Sequence, residues 1–163
     1  MSKKIDQVLI QQVVEQAAAS PRLRSNINFH PVMEDPVQRL LIGFKKGTYV
    51  RPHHHPAEGK WEMLVAVHGE VCLVIFELDG SIKEKVMLSK GESTIGIELP
   101  AGTWHTIYPV SEESAFLEVK CGPYTPSEAS DFATWAPSEG EPEVESFLHW
   151  IENAQIGDSY KPS

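Results

Sequence analysis

Three consecutive histidines, His53, His54 and His55, are followed by a carboxylate at Glu62 and, much later, by His105. In extended chain, residues two apart point to the same side. His53 and His55 can therefore aim both imidazoles into one space while His54 turns away. Tyr49 and Arg51 share the parity of His53 if the strand runs unbroken through them. Imidazole nitrogens with one carboxylate suit Fe, Mn, Ni or Zn, and suit Mg or Ca poorly because those ions prefer all-oxygen shells. One divalent transition metal is the expected cofactor, with His53, His55, Glu62 and His105 as candidate ligands. A metal held this way, with positions left open, can polarise a carbonyl or hydroxyl, activate water or, as iron, bind dioxygen.

A small-molecule substrate needs a grip besides the metal. Arg51, Arg39, Arg22 and Arg24 are candidates for holding a carboxylate or phosphate bidentately, with Arg51 first because of its parity with His53. His30 divides between a structural and a substrate-binding role. Tyr49, Tyr108 and Tyr124 are candidates for hydrogen bonding or acid–base catalysis.

The elements that must position these groups are short strands. Runs rich in Val, Ile, Leu and Phe span 40–44, 48–52, 61–68, 70–78, 82–88, 93–99, 105–110 and 115–121. Gly47, Gly69, Gly91, Pro100 and Gly102 fall between them. Asp79-Gly80, between two such runs, signals a tight hairpin. Eight strands at this spacing predict an all-β jelly-roll barrel. Ahead of them, Ile5, Val8, Leu9, Val13 and Ala17 recur at helical period, and Pro21 stops that helix. Residues 22–38 read as polar and irregular. Prolines at 123, 126, 137 and 142 mark a loop, and Phe132 and Trp135 within it favour wrapping over disorder. A last short helix, about 143–152, presents Val144, Phe147, Leu148 and Ile151 on one face. The expected organisation is one domain over 1–163: a helix and polar segment to residue 38, a barrel over 39–121, and a C-terminal wrapping segment and helix over 122–163.

Size and charge bound the function. A chain of 163 residues that is 41% apolar can bury one sizeable core. No run approaches the roughly 20 apolar residues of a membrane span, and the N-terminus does not read as a signal peptide, so a cytoplasmic protein with no membrane partner is expected. Of the net charge of −9, residues 126–163 carry −7 and residues 1–125 only −2. Nucleic acid, which needs a basic stripe, is not an expected partner. Cys72 and Cys121 lie in apolar runs and read as buried inert thiols.

The spacing Gly47-x5-His53-x-His55-x6-Glu62-x6-Gly69 resembles the first cupin motif, and Pro100-Ala101-Gly102-Thr103-Trp104-His105 resembles the core of the second. The resemblance implies a double-stranded β-helix in which two histidines, a glutamate and a late histidine bind the metal. Two departures stand out. The gap between His55 and Glu62 exceeds the family's usual three or four residues, which leaves Glu58 as a competing ligand; Glu62 is preferred for its distance to Gly69 and because Glu58 falls in a loop. The family's asparagine after the last histidine is replaced by Pro109.

The chain is similar, more closely, to the WbuC-type cupin-fold metalloproteins of bacterial polysaccharide gene clusters. The features that carry this are Ser20-Pro21-Arg22-Leu23-Arg24 with Asn26, Asn28 and His30, then Asp35-Pro36-Val37-Gln38-Arg39, Gly47 to His53, Pro100-Ala101-Gly102 with Trp104-His105, and Gly122-Pro123-Tyr124. This similarity implies a bacterial metalloprotein and supplies no reaction. The leading expectation is an enzyme on sugars or nucleotide sugars, isomerase- or epimerase-like, with the metal as Lewis acid. The alternatives are an Fe(II)-dependent dioxygenase on a small thiol or acid, and a non-catalytic module that binds a sugar or anion. Cupin barrels often pair through exposed sheets, so a homodimer is the expected assembly.

Overall fold

The computed structural model describes residues 2–161. Helix α1 (Gln7–Ala19) starts at Asp6, whose carboxylate accepts from the Leu9 N–H at 3.1 Å and satisfies one of the free amide donors of the first turn. Eight strands follow: β1 (Arg24–Asn28), β2 (Val37–Lys45), β3 (Glu62–His68), β4 (Glu70–Phe76), β5 (Ile82–Ser89), β6 (Gly96–Leu99), β7 (His105–Pro109) and β8 (Glu113–Cys121). Helix α2 (Val144–Asn153) lies near the C-terminus. The strands form two antiparallel sheets, one of order β1-β2-β8-β3-β6 and one of order β5-β4-β7. The result is the all-β barrel, with a short helix towards each end, that the strand spacing predicts.

Strand alternation sorts the side chains into three layers. Phe44, Leu64, Leu99 and Phe116 from the larger sheet meet Val71, Leu73, Leu88 and Ile107 from the smaller one, and these fill the barrel interior. On the outer face of the larger sheet, α1 seats Ile10, Val13 and Val14 against Leu41 and Ala115. Gly43 lets the helix come this close, because a Cβ there would stand 2.7 Å from the Val13 carbonyl oxygen. On the outer face of the smaller sheet, Cys72, Val74, Phe76 and Tyr108 are covered by Phe147 and Ile151 of α2 and by Ala133 and Ala136 of the C-terminal segment.

The segment after β8 wraps the barrel, as its aromatics led one to expect. Trp135 packs on Phe76 with ring centroids 4.8 Å apart, and the Tyr49 hydroxyl donates to the Pro137 carbonyl at 2.7 Å. Arg22 grips Glu139 with Nε and Nη2 at 2.6 and 2.7 Å, and Arg24 reaches the same carboxylate at 3.1 Å. The acidic C-terminal segment is thus tied to the barrel by its own ion pairs.

Two local expectations are corrected. Residues 48–52 form no strand; the chain there is extended, and its only bridges are at His53, to His105 and to Phe132. Pro52 has no N–H to offer a ladder. Conversely, the polar stretch 24–28 is β1, paired along its length with β2. Among the described residues, no helix is long and apolar enough to cross a membrane.

Candidate metal centre

His53, His55 and His105 each offer a ring nitrogen within 4.8 Å of the others. They arrive from two directions. His105 opens β7 with its side chain on the barrel-facing side, the side it shares with Ile107. His53 is pinned beside it by a reciprocal backbone pair, each N–H donating to the other's carbonyl at 2.9 Å. His55 is held two residues on, where its carbonyl accepts from the Gly102 N–H at 2.8 Å. The parity argument holds for His54, which leaves the cluster and stacks on Trp104 with centroids 3.9 Å apart.

Glu62, the first residue of β3, lies outside that trio's mutual 4.8 Å grouping but against two of its members. Its Oε1 lies 2.7 Å from His105 Nε2 and its Oε2 3.5 Å from His55 Nε2. Glu62 is 3% exposed and His105 4% exposed, so neither is hydrated from bulk solvent. The competing acid Glu58 sits exposed in the turn before β3.

The hydrogen bonds behind these side chains set which nitrogen faces the centre. His105 Nδ1 lies 2.8 Å from the Thr103 carbonyl and His53 Nδ1 lies 2.9 Å from the Arg51 carbonyl. A carbonyl only accepts, so each Nδ1 carries the proton and each neutral ring presents a lone pair at Nε2. Ligating histidines are commonly oriented in this way. Buried Glu62 Oε1 has no hydrogen bond of acceptable geometry despite its 2.7 Å contact with His105. A buried acceptor without a donor, beside lone pairs that converge on the same space, fits a cation better than it fits a hydrogen-bond network.

Electrostatics agree with that fit. Burial pushes the His53 imidazole well below its ordinary range, the neighbouring His105 adds to this, and Glu62 only partly opposes it. A neutral ring is the form that ligates. Burial would raise the Glu62 carboxyl, but His105 and His55 outweigh it and hold the group well below the usual carboxylate range. Burial opposes charge on His105 as well, and there the Glu62 carboxylate prevails and raises the imidazole.

The other candidates lie elsewhere. Tyr108 projects from the opposite face of β7 into the cluster under α2, as does Tyr49, and burial pushes both phenols above their ordinary range. Arg51 donates to the Ala133 carbonyl at 2.7 Å and lies over the Phe132 ring, so it braces the C-terminal segment. Arg39 pairs with Asp35 at 2.7 Å, on the face of β2 that it shares with Leu41 rather than with the barrel-lining Phe44. His30 Nδ1 accepts from the Arg39 backbone N–H at 3.0 Å, which places it with Arg39 and away from the histidine cluster.

Sequence reasoning missed an ion pair inside the barrel. Glu118 and Lys120 alternate with Phe116 along the inner face of β8, and Lys120 is paired in register with Gln38 on one side and Glu62 on the other. Lys120 Nζ lies 2.6 Å from Glu118 Oε1. Burial opposes the ammonium charge, but Glu118 outweighs it and the Lys120 group is raised above its ordinary range. A cavity of about 470 Å³ opens beside this row, lined by His55, Lys60, Trp61, Lys120, Tyr124 and Asp131 among others.

Comparison with known proteins bears on the fold. The model of a family described as a domain of unknown function (DUF6016) matches residues 5–88. No curated protein matches the chain. Among solved structures it is similar to oxalate oxidase in complex with the substrate analogue glycolate, at 18% identity and a TM-score of 0.52 over 65% of this chain and 54% of that one. A recombinant oxalate oxidase in complex with glycolate gives 19% identity, the same TM-score and the same coverage. A cupin superfamily protein from Desulfitobacterium hafniense gives 16% identity and a TM-score of 0.47 over 60% and 76% of the two chains. The likeness is one of fold, the cupin β-barrel, and the chain spans about half the length of the oxalate oxidases.

Proposed function

This chain belongs to the DUF6016 family, a domain of unknown function, and we propose that it is a metal-dependent enzyme that isomerises or epimerises a sugar or nucleotide sugar. The observation that carries this reading is the convergence of three imidazoles and the donor-free Glu62 oxygen next to an open cavity. His53, His55, Glu62 and His105 would hold one divalent Fe, Mn, Ni or Zn ion, which would act as a Lewis acid on a substrate carbonyl or hydroxyl.

The remaining roles fall to the chain's own groups. Trp61, Tyr124 and Pro123 supply apolar wall to the cavity, and the few polar groups between them would fix orientation, the usual make-up of a small-molecule site. The Lys120 ammonium, paired across the β3–β8 ladder with the ligand Glu62 and lining the cavity, would orient the substrate from the barrel wall. The WbuC-like motifs, three of which lie within the stretch that the family model matches, support a setting in surface polysaccharide biosynthesis.

Metal-loaded protein incubated with a panel of sugar phosphates and nucleotide sugars is expected to convert at least one of them, and Glu62→Ala is expected to abolish the conversion. No turnover and no tight binding across the panel would sink the proposal. Oxygen uptake that requires both Fe(II) and His105 would put the dioxygenase reading in its place.

A further inference from the structure

The cavity beside the metal centre has a charge pattern that names its ligand more narrowly. Two ammonium groups line it, those of Lys60 and Lys120. Lys60 Nζ is anchored by the Pro123 carbonyl at 2.6 Å and the Cys121 carbonyl at 3.4 Å, neutral acceptors that leave its charge unbalanced. Lys120 is paired with Glu118, which does not itself line the cavity, and the Glu62 carboxylate across the ladder adds a second, smaller negative influence. The acids at the mouth, Glu128 and Asp131, are engaged with their own turn: Asp131 Oδ2 accepts from the Glu128 N–H at 2.8 Å, and the Glu128 carboxylate caps the Asp131 backbone. Both ammonium groups therefore line the space, Lys120 shared with Glu118, while the two lining carboxylates, which keep their charge, are oriented by backbone N–H groups of their own segment.

Within the reading of this site as a sugar enzyme, we propose that Lys120, with Lys60 at the mouth, is an anion receptor and that the substrate is an acidic sugar bearing a carboxylate or phosphate. The register fixes the distance scale. Lys120 sits directly across the β3–β8 ladder from Glu62, so an anionic group on Lys120 leaves the sugar's neighbouring carbon and oxygen atoms at the metal ligands. An ammonium held in a half-buried wall binds an anion more strongly than one free in solvent, because less water competes for it. A neutral sugar would take from the lysines only hydrogen bonds to its hydroxyls, weaker than the ion pairs that an anionic group would make.

Binding of D-glucuronate, D-glucose 6-phosphate and D-glucose to the full-length metal-loaded protein, measured by calorimetry, tests this directly. At least one of the two acidic sugars is expected to bind about tenfold or more tightly than glucose, and which of them does so identifies the group as carboxylate or phosphate. That preference is expected to disappear in Lys120→Met and to survive in Lys120→Arg, with metal content unchanged in both. Should Lys120→Met fail to fold because Glu118 is left unpaired, the double variant Glu118→Gln/Lys120→Met removes both charges and decides the question. Equal binding of glucose and the acids, no binding of either acid, or a preference that persists without Lys120 would overturn the proposal. A Lys120-dependent preference in metal-loaded protein that turns over no sugar of the panel would keep the receptor and overturn the metal-enzyme reading instead.

Discussion

His105→Ala and Glu62→Ala are each expected to empty the metal centre while the barrel stays folded. The two side chains meet at 2.7 Å in a space that is almost fully buried, and the Glu62 oxygen concerned has no donor. Loss of an outer partner of a ligand commonly costs about 10–100-fold in metal affinity; loss of a ligand itself should cost more. Glu62→Ala removes in addition, among the described residues, the only carboxylate paired with His55 and His105, so three imidazoles would share a cation with no carboxylate ligand beside them. The barrel should survive, because His105 is held to His53 through backbone atoms that alanine keeps. Glu58→Ala, in the exposed turn, is expected to leave metal content at the wild-type level. Metal retained by Glu62→Ala and lost from Glu58→Ala would reassign the carboxylate ligand.

Phe147→Ala is expected to be the most damaging substitution for stability that leaves the metal centre intact. The ring is 1% exposed and sits among Tyr49, Trp150 and Tyr160, with centroids 5.6, 5.3 and 4.9 Å away. Truncating a fully buried Phe costs about 3–5 kcal/mol. For a chain of this size each kcal/mol moves Tm by roughly 2–4 °C, so a fall of about 6–20 °C is expected in a thermal melt. The cluster lies on the outer face of the three-stranded sheet while His105 faces inward from β7, and metal content should not change. A shift below about 2 °C would mean that α2 contributes little to holding the C-terminal segment on the barrel.

Much of this arrangement could be read from residue order, for identifiable reasons. Parity along extended chain brings His53 and His55 together and turns His54 out, and it needs no ladder, so it survives the absence of a strand at 48–52. The hairpin at Asp79-Gly80 is local chemistry, with Gly80 at φ +84°. What pattern reading could not reach depended on partners distant in sequence. β1 is polar apart from Ile27 and is a strand only because β2 and α1 receive it. The four arginines are typical anion grips by type, yet Arg22 and Arg24 hold Glu139, Arg39 holds Asp35 and Arg51 holds a carbonyl. Lys120 and Glu118 had a signal that was available: two opposite charges at the inward positions of a strand whose other inward residues are Ser114 and Phe116. Charges on the inward parity of a barrel strand are costly unless paired, and such a pair is a reason to look for a polar space beside it.

The central claim is that His53, His55, Glu62 and His105 hold one transition metal, and elemental analysis of the purified wild-type protein tests it most directly. About one equivalent of Fe, Mn, Ni or Zn per chain is the expected result. No bound metal, even after reconstitution with each of these ions in turn, would contradict it and leave the cluster as a buried histidine–carboxylate network.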